Sequence, residues 1–145
     1  MFKHILLPTD GSQLSESAAL ECIQFAKILG AKVTALHVTP EFHVVTYRTD
    51  MLADTKERFD HDCALQANQY LAKVEKAAKE AGVACDTLFV RSDHPHDAIV
   101  TLAVERECDL IGMASHGRKG MEGFLIGSET QKVLAHSKIP VLVFH

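Results

Sequence analysis

The chain has 145 residues, enough for one domain whose core needs neither disulfides nor a metal to hold it. Apolar residues make up 47% of it and charged residues 23%, a globular balance that excludes a disordered or low-complexity chain. Fifteen Lys and Arg against nineteen Asp and Glu leave a net charge of −4, so no global field draws nucleic acid or an anionic membrane, and an anionic ligand has to be held locally.

The chain reaches Pro8 and Asp10 before a secretory h-region can develop, and no run approaches the ~20 apolar residues of a membrane span. Residues 5–7 form the first strand-like run. Behind it Ala19, Ile23 and Ala26, widened by Ala18 and Cys22, line one stripe of a helix, with Ser12 as its N-cap and Gly30 as its stop. The second strand is expected at 33–38, followed by a long connection from Thr39 to about Asp54. Ala67, Leu71, Val74, Ala78 and Ala81 then recur at steps of four and three, the cleanest helical period in the chain, until Gly82 ends it.

A third strand is expected at 87–90, and a helix opening on Pro95 that buries Ala98, Ile99, Leu102 and Ala103. The fourth strand covers 110–114, and a second long connection runs from Ser115 to Ile126. Ser128-x-x-Gln131 reads as a capping box for the last helix, which stops before Pro140, and residues 141–144 form the last strand. Strands alternating with helices are the pattern of βαβ units and a parallel sheet, and the nearly continuous apolarity of the first and fourth runs suits strands covered on both faces. The whole chain, 1–145, is expected to form a single domain. Cys22, Cys63, Cys85 and Cys108 are far apart, without C-x-x-C spacing, and read as reduced thiols of a cytoplasmic protein.

In an open parallel sheet ligands bind beyond the carboxyl ends of the strands, where the strand order reverses. The tips there are Pro8-Thr9-Asp10-Gly11-Ser12, His37-Val38-Thr39 and Met113-Ala114-Ser115-His116-Gly117. Gly117, Gly120, Gly123 and Gly127 put four glycines into eleven residues, so that the backbone can turn with positive φ and bring amide groups close to phosphate oxygens. Gly127 and Ser128 lead into a helix whose free N–H groups favour an anion, and Arg118 and Lys119 add local positive charge. The same residues also fit a plain surface loop with solvated cations and a capping serine. Neither a Walker A motif nor a G-x-G-x-x-G after the first strand is present.

The order of elements, Pro-Thr-Asp after strand one, His-Val after strand two, Ser-His-Gly and Gly-Ser around the loop, and the closing Pro-Val-Leu-Val resemble the universal stress protein family over the whole chain. That family's signature, G-x-x-G, nine residues, then G-[ST], falls on Ala114-Ser115-His116-Gly117 and Gly127-Ser128. The resemblance implies an open, doubly wound α/β fold with a five-stranded parallel sheet, Rossmann-like and of the adenine-nucleotide alpha-hydrolase type, in the order 3-2-1-4-5. It implies binding of ATP or AMP, with any Mg²⁺ brought by the nucleotide. Gly117, Gly127 and Ser128 are then expected around the phosphates, and Met113 and Ala114 against the nucleotide. Pro8, Thr9 and Asp10 fall on the ribose and adenine side, and the Val38 backbone at the adenine edge. His116, Arg118 and Gly120 of the loop and Glu129 and Thr130 of the following helix complete the expected site.

Ala114 departs from the signature's first glycine. At positive φ its methyl weakens or blocks binding, whereas at negative φ it is tolerated. Asp10 suits a helix-dipole partner as well as a ribose contact. No His, Cys or carboxylate spacing matches a metal-ligand set, and His116 has no paired base or nucleophile. The last strand, Val141 to Phe144, is expected at the sheet edge, where the resemblance implies a homodimer. The function expected is a stress-response sensor or binding module with at most weak ATPase activity. Its rivals are a slow ATP-hydrolysing enzyme and a dimeric interaction module without nucleotide.

Overall fold

The structure, a computed structural model, describes residues 1–43, 49–117 and 126–145, with the side chains of 49–54 left aside. Five strands, β1 (His4–Pro8), β2 (Lys32–Thr39), β3 (Cys85–Arg91), β4 (Leu110–Ala114) and β5 (Val141–Phe144), alternate with four helices, α1 (Gln13–Leu29), α2 (Thr49–Ala81), α3 (Pro95–Glu105) and α4 (Ser128–His136). All strand pairs are parallel and the sheet order is β3-β2-β1-β4-β5, so the direction of winding reverses between β1 and β4. This is the strand order expected from the sequence.

Side-chain alternation along each strand divides the core in two. Ile5 and Leu7 of β1 and Val33 and Ala35 of β2 pack under Ala19, Cys22, Ile23 and Ala26 of α1 and Leu71, Val74 and Ala78 of α2. On the opposite face Leu6, Leu36, Ile111 and Met113 meet Ile99 and Ala103 of α3 and Val133 of α4. The interior strands β1 and β4 are therefore buried almost throughout, and apolar from Ile5 to Pro8 and from Leu110 to Ala114, because both faces are covered. β4 lies close under α1: a Cβ on Gly112 would stand 2.8 Å from the Cys22 sulfur. Burial pushes the Cys22 thiol up to about 12, and all four cysteines are free.

The helix ends follow the sequence signals in most places. Ser12 caps α1 by accepting from Ser15 N at 3.2 Å, and Gly30 closes it at φ +66°. Pro95 opens α3. Two expectations change. α2 begins at Thr49, inside the connection expected to run to about Asp54, and no glycine or proline interrupts the chain between Pro40 and Gly82. Its periodicity is confined to the half that packs on the sheet, while residues 55–58 upstream are exposed. At α4 the N-cap is Gly127 rather than Ser128, and no side chain caps the helix. Gln131 Nε2 donates instead to Ile126 O at 2.7 Å, so the capping box is not formed.

Candidate functional site

The turn after β1 is built by short-range polar contacts. Thr9 N donates to Leu36 O at 2.8 Å, which carries the β1–β2 ladder one residue further. Thr9 Oγ1 lies 2.5 Å from Ser15 Oγ, and the same serine oxygen accepts from Asp10 N at 3.2 Å. Asp10 Oδ1 accepts from Ser12 N at 3.0 Å, an Asx turn that leads into α1. From below, His37 Nδ1 donates to Thr9 O at 2.7 Å and its ring sets edge-on to Tyr70, 5.2 Å between centroids. Gly11, at φ +77°, lies so close over Tyr70 that a Cβ there would collide with the ring. Helix α2 thus props the turn that presents Asp10.

The end of β4 is fixed from three sides. Ser115 N donates to Phe144 O at 2.8 Å, and Gly127 N donates to Ser115 O at 2.7 Å. Thr130 Oγ1 donates to Ala114 O at 3.0 Å. Among the described residues Glu107 is the only non-glycine at positive φ, so Ala114 is an ordinary extended strand residue. Gly117 and Gly127 work by close approach and not by positive φ. A Cβ on Gly117 would run into the Asp10 carboxylate, and one on Gly127 would stand 3.1 Å from both Cα and Cβ of His116.

Between these tips, on the α3 and α4 side of the sheet, lies a crevice of about 180 Å³. Pro8, Thr9 and Asp10 form one rim, Met113, Ala114, His116 and Gly117 the other, and Val38, Glu129 and Thr130 close the ends. Ten of the fourteen expected site residues, those just named, therefore come together in its walls. Gly127 and Ser128 stand beside the crevice at the start of α4 and not in its walls. Arg118 and Gly120 lie outside the described residues.

Val38 offers its backbone to this space. Leu36 O faces β1, and hydrogen-bonding direction alternates along a strand, so the amide and carbonyl of Val38 face the same way, past the point where β1 ends. The floor is apolar, from Leu36, Pro95 and Ile99. Leu36, Pro95, Ile99 and the buried Ser15 are lining residues that the sequence reading did not single out. Pro95 carried a signal, since it opens a helix at the same end of the sheet as the strand tips.

Glu129, in the first turn of α4, ties that helix to α3. Its Oε2 accepts from His96 N at 3.0 Å and its Oε1 from Lys132 Nζ at 3.2 Å. Burial would raise the carboxyl, but the Lys132 ammonium and the His96 donors outweigh it and hold it below the usual range. Among the described residues no three His, Cys, Asp or Glu side chains gather as a metal-ligand set.

The universal stress protein family model matches residues 1–145. The chain belongs to that family. A universal stress protein of Methanocaldococcus jannaschii is 33% identical over 143 residues, covering 99% of this chain and 82% of the relative. A second universal stress protein of that archaeon is 29% identical, and its solved structure matches with a TM-score of 0.83 over 99% of this chain and 95% of the other. A universal stress protein solved in complex with cAMP is 27% identical, with a TM-score of 0.73 over 99% of this chain and 97% of that one. Among the described residues of this family member, no helix is long and apolar enough to cross a membrane.

Proposed function

We propose that residues 1–145 act as one domain that binds an adenine nucleotide, ATP or AMP, in the crevice between the tips of β1 and β4, and that the protein works as a stress-response sensor or binding module. The observation that carries this reading is the pairing, in one crevice, of an apolar floor with the outward-facing Val38 backbone and the Asp10 carboxylate. A flat heteroaromatic base fits an apolar slot whose edge offers a backbone donor and acceptor, and a carboxylate suits ribose hydroxyls. At about 180 Å³ the crevice is below the ~300–1,000 Å³ of pockets that enclose a drug-sized ligand, so base and ribose lie inside and phosphates at the rim by Gly117 and the α4 N-terminus. The cAMP complex of a 27% identical relative supports the same class of ligand. Any Mg²⁺ would arrive with the nucleotide.

Mass spectrometry of the denatured purified protein, followed by calorimetric titration with AMP, cAMP and ATP, tests the reading. Co-purified adenine nucleotide, or millimolar or tighter binding of at least one of the three, is the expected result. Absence of both overturns it. The four free thiols support a reducing, cytoplasmic setting. The sheet-edge position of the apolar, half-buried β5 supports a homodimer formed by pairing that strand across a two-fold axis, and a monomer at micromolar concentration in a sizing experiment refutes it.

A further inference from the structure

Ser115 follows β4 and is 1% exposed, and its hydroxyl has a single partner among the described residues: His116 Nδ1, 2.9 Å from Oγ. A hydroxyl can accept from several donors, but its own hydrogen needs an acceptor, and a buried hydrogen without one is destabilising. Were the imidazole proton on Nδ1, the Ser115 hydrogen would be left buried and unmatched. The stable arrangement has Ser115 donating to Nδ1, which places the proton of the neutral ring on Nε2.

Both residues are held firmly enough for this to matter. The Ser115 backbone is bonded to Phe144 and Gly127, and Gly127 packs so closely on His116 that a Cβ would stand 3.1 Å from its Cα. His116 lines the crevice together with Asp10 and Gly117. With Nδ1 turned to Ser115, Nε2 is the nitrogen left for a ligand. The other polar side chains in these walls are the carboxylates of Asp10 and Glu129, which only accept, and the hydroxyls of Thr9, Ser15 and Thr130, which are engaged with Ser15, Thr9 and the Ala114 carbonyl. An Nε2 without a proton would add one more acceptor to a wall already dominated by them.

We propose that Ser115 is a positioning residue that fixes the neutral form of His116 in the Nε2–H tautomer, so that Nε2 presents its hydrogen to a phosphate oxygen of the bound nucleotide. This rests on the nucleotide-binding reading above, so the test separates the two. Long-range ¹H–¹⁵N correlation spectra of the ligand-free protein read the tautomer without any nucleotide, and are expected to show Nε2 protonated and Nδ1 bare. In Ser115→Ala the His116 signals should move toward a mixture of tautomers. Affinity for AMP should fall about five- to tenfold, the weight of one hydrogen bond, while affinity for adenosine, which has no phosphate, stays within twofold. His116→Asn and His116→Gln provide a second arm should the serine variant fail to fold. The Gln amide reaches the Nε2 position and should weaken AMP binding only a few fold, whereas the Asn amide reaches Nδ1 and should weaken it tenfold or more. An Nδ1–H tautomer in the wild type, equal losses for AMP and adenosine, or equal losses for Gln and Asn overturns the assignment of Ser115. A wild type that binds no nucleotide yet shows the Nε2–H tautomer overturns the ligand and leaves the Ser115–His116 pairing standing.

Discussion

Substituting Ala114→Gly restores the signature's first glycine, and the structure says that this should damage the protein rather than repair it. Ala114 is 8% exposed, extended, paired with Phe144 on β5, and its carbonyl accepts from Thr130 Oγ1 at 3.0 Å. Removing a buried methyl forfeits about 0.8 kcal/mol. Glycine in a strand interior adds roughly 0.5–1 kcal/mol of backbone entropy lost on folding. The sum is about 1.5 kcal/mol, a fall in melting temperature of roughly 3–6 °C for a domain of this size. Thermal unfolding by circular dichroism measures it, and calorimetric titration of both proteins with AMP and ATP reads the site. Nucleotide affinity should change by less than about threefold, because no positive φ is relieved. An unchanged melting temperature together with a tenfold or greater gain in affinity would show that the methyl obstructs the ligand, and would refute this account of the position.

Two further substitutions probe the frame around the crevice. Gly127→Val places branched carbons against the His116 backbone, and is expected to destabilise by about 1–3 kcal/mol in chemical denaturation. Unchanged stability would show that His116 can yield. Asp109 accepts from Lys3 N at 2.9 Å and His4 N at 3.0 Å; burial pulls its carboxyl up, but these backbone donors outweigh it and hold it below the ordinary 3.8. Its contribution is therefore fully present above that value and is lost as pH falls through the lower folded value. Asp109→Asn should melt a few degrees below the wild type at pH 7, with the gap closing as the pH drops below about 3.8. A gap that persists in acid would mean that shape, not charge, sets the effect.

All five strands were legible in the sequence, because short apolar runs bounded by Pro, Gly and Asp leave few alternatives, and the run at 110–114 matches β4 residue for residue. The start of α2 was not, since residues 55–58 near it are exposed and the regular apolar period begins only at Ala67. The strand tips of the crevice could be read from composition at the carboxyl ends of β1, β2 and β4. Its floor could not: Pro95 and Ile99 arrive from α3 through a crossover, and chain order does not reveal which faces of that helix and of β2 meet. The glycines were read for their freedom of φ, yet Gly117 and Gly127 are needed because Asp10 and His116 leave no room for a side chain. Sequence spacing shows that a glycine is present, whereas the neighbour that requires it comes from a different element.

The bond from Gly127 N to Ser115 O, 2.7 Å long, brings the chain back to within one contact of where it left the sheet. Together with Ser115 N on Phe144 O and Thr130 Oγ1 on Ala114 O, it ties the end of β4, the end of β5 and the start of α4 into one joint. The seat of α4 is therefore set by bonds to the sheet itself, and a change that loosens any one of these three contacts is felt by the wall of the crevice and by the sheet edge at once.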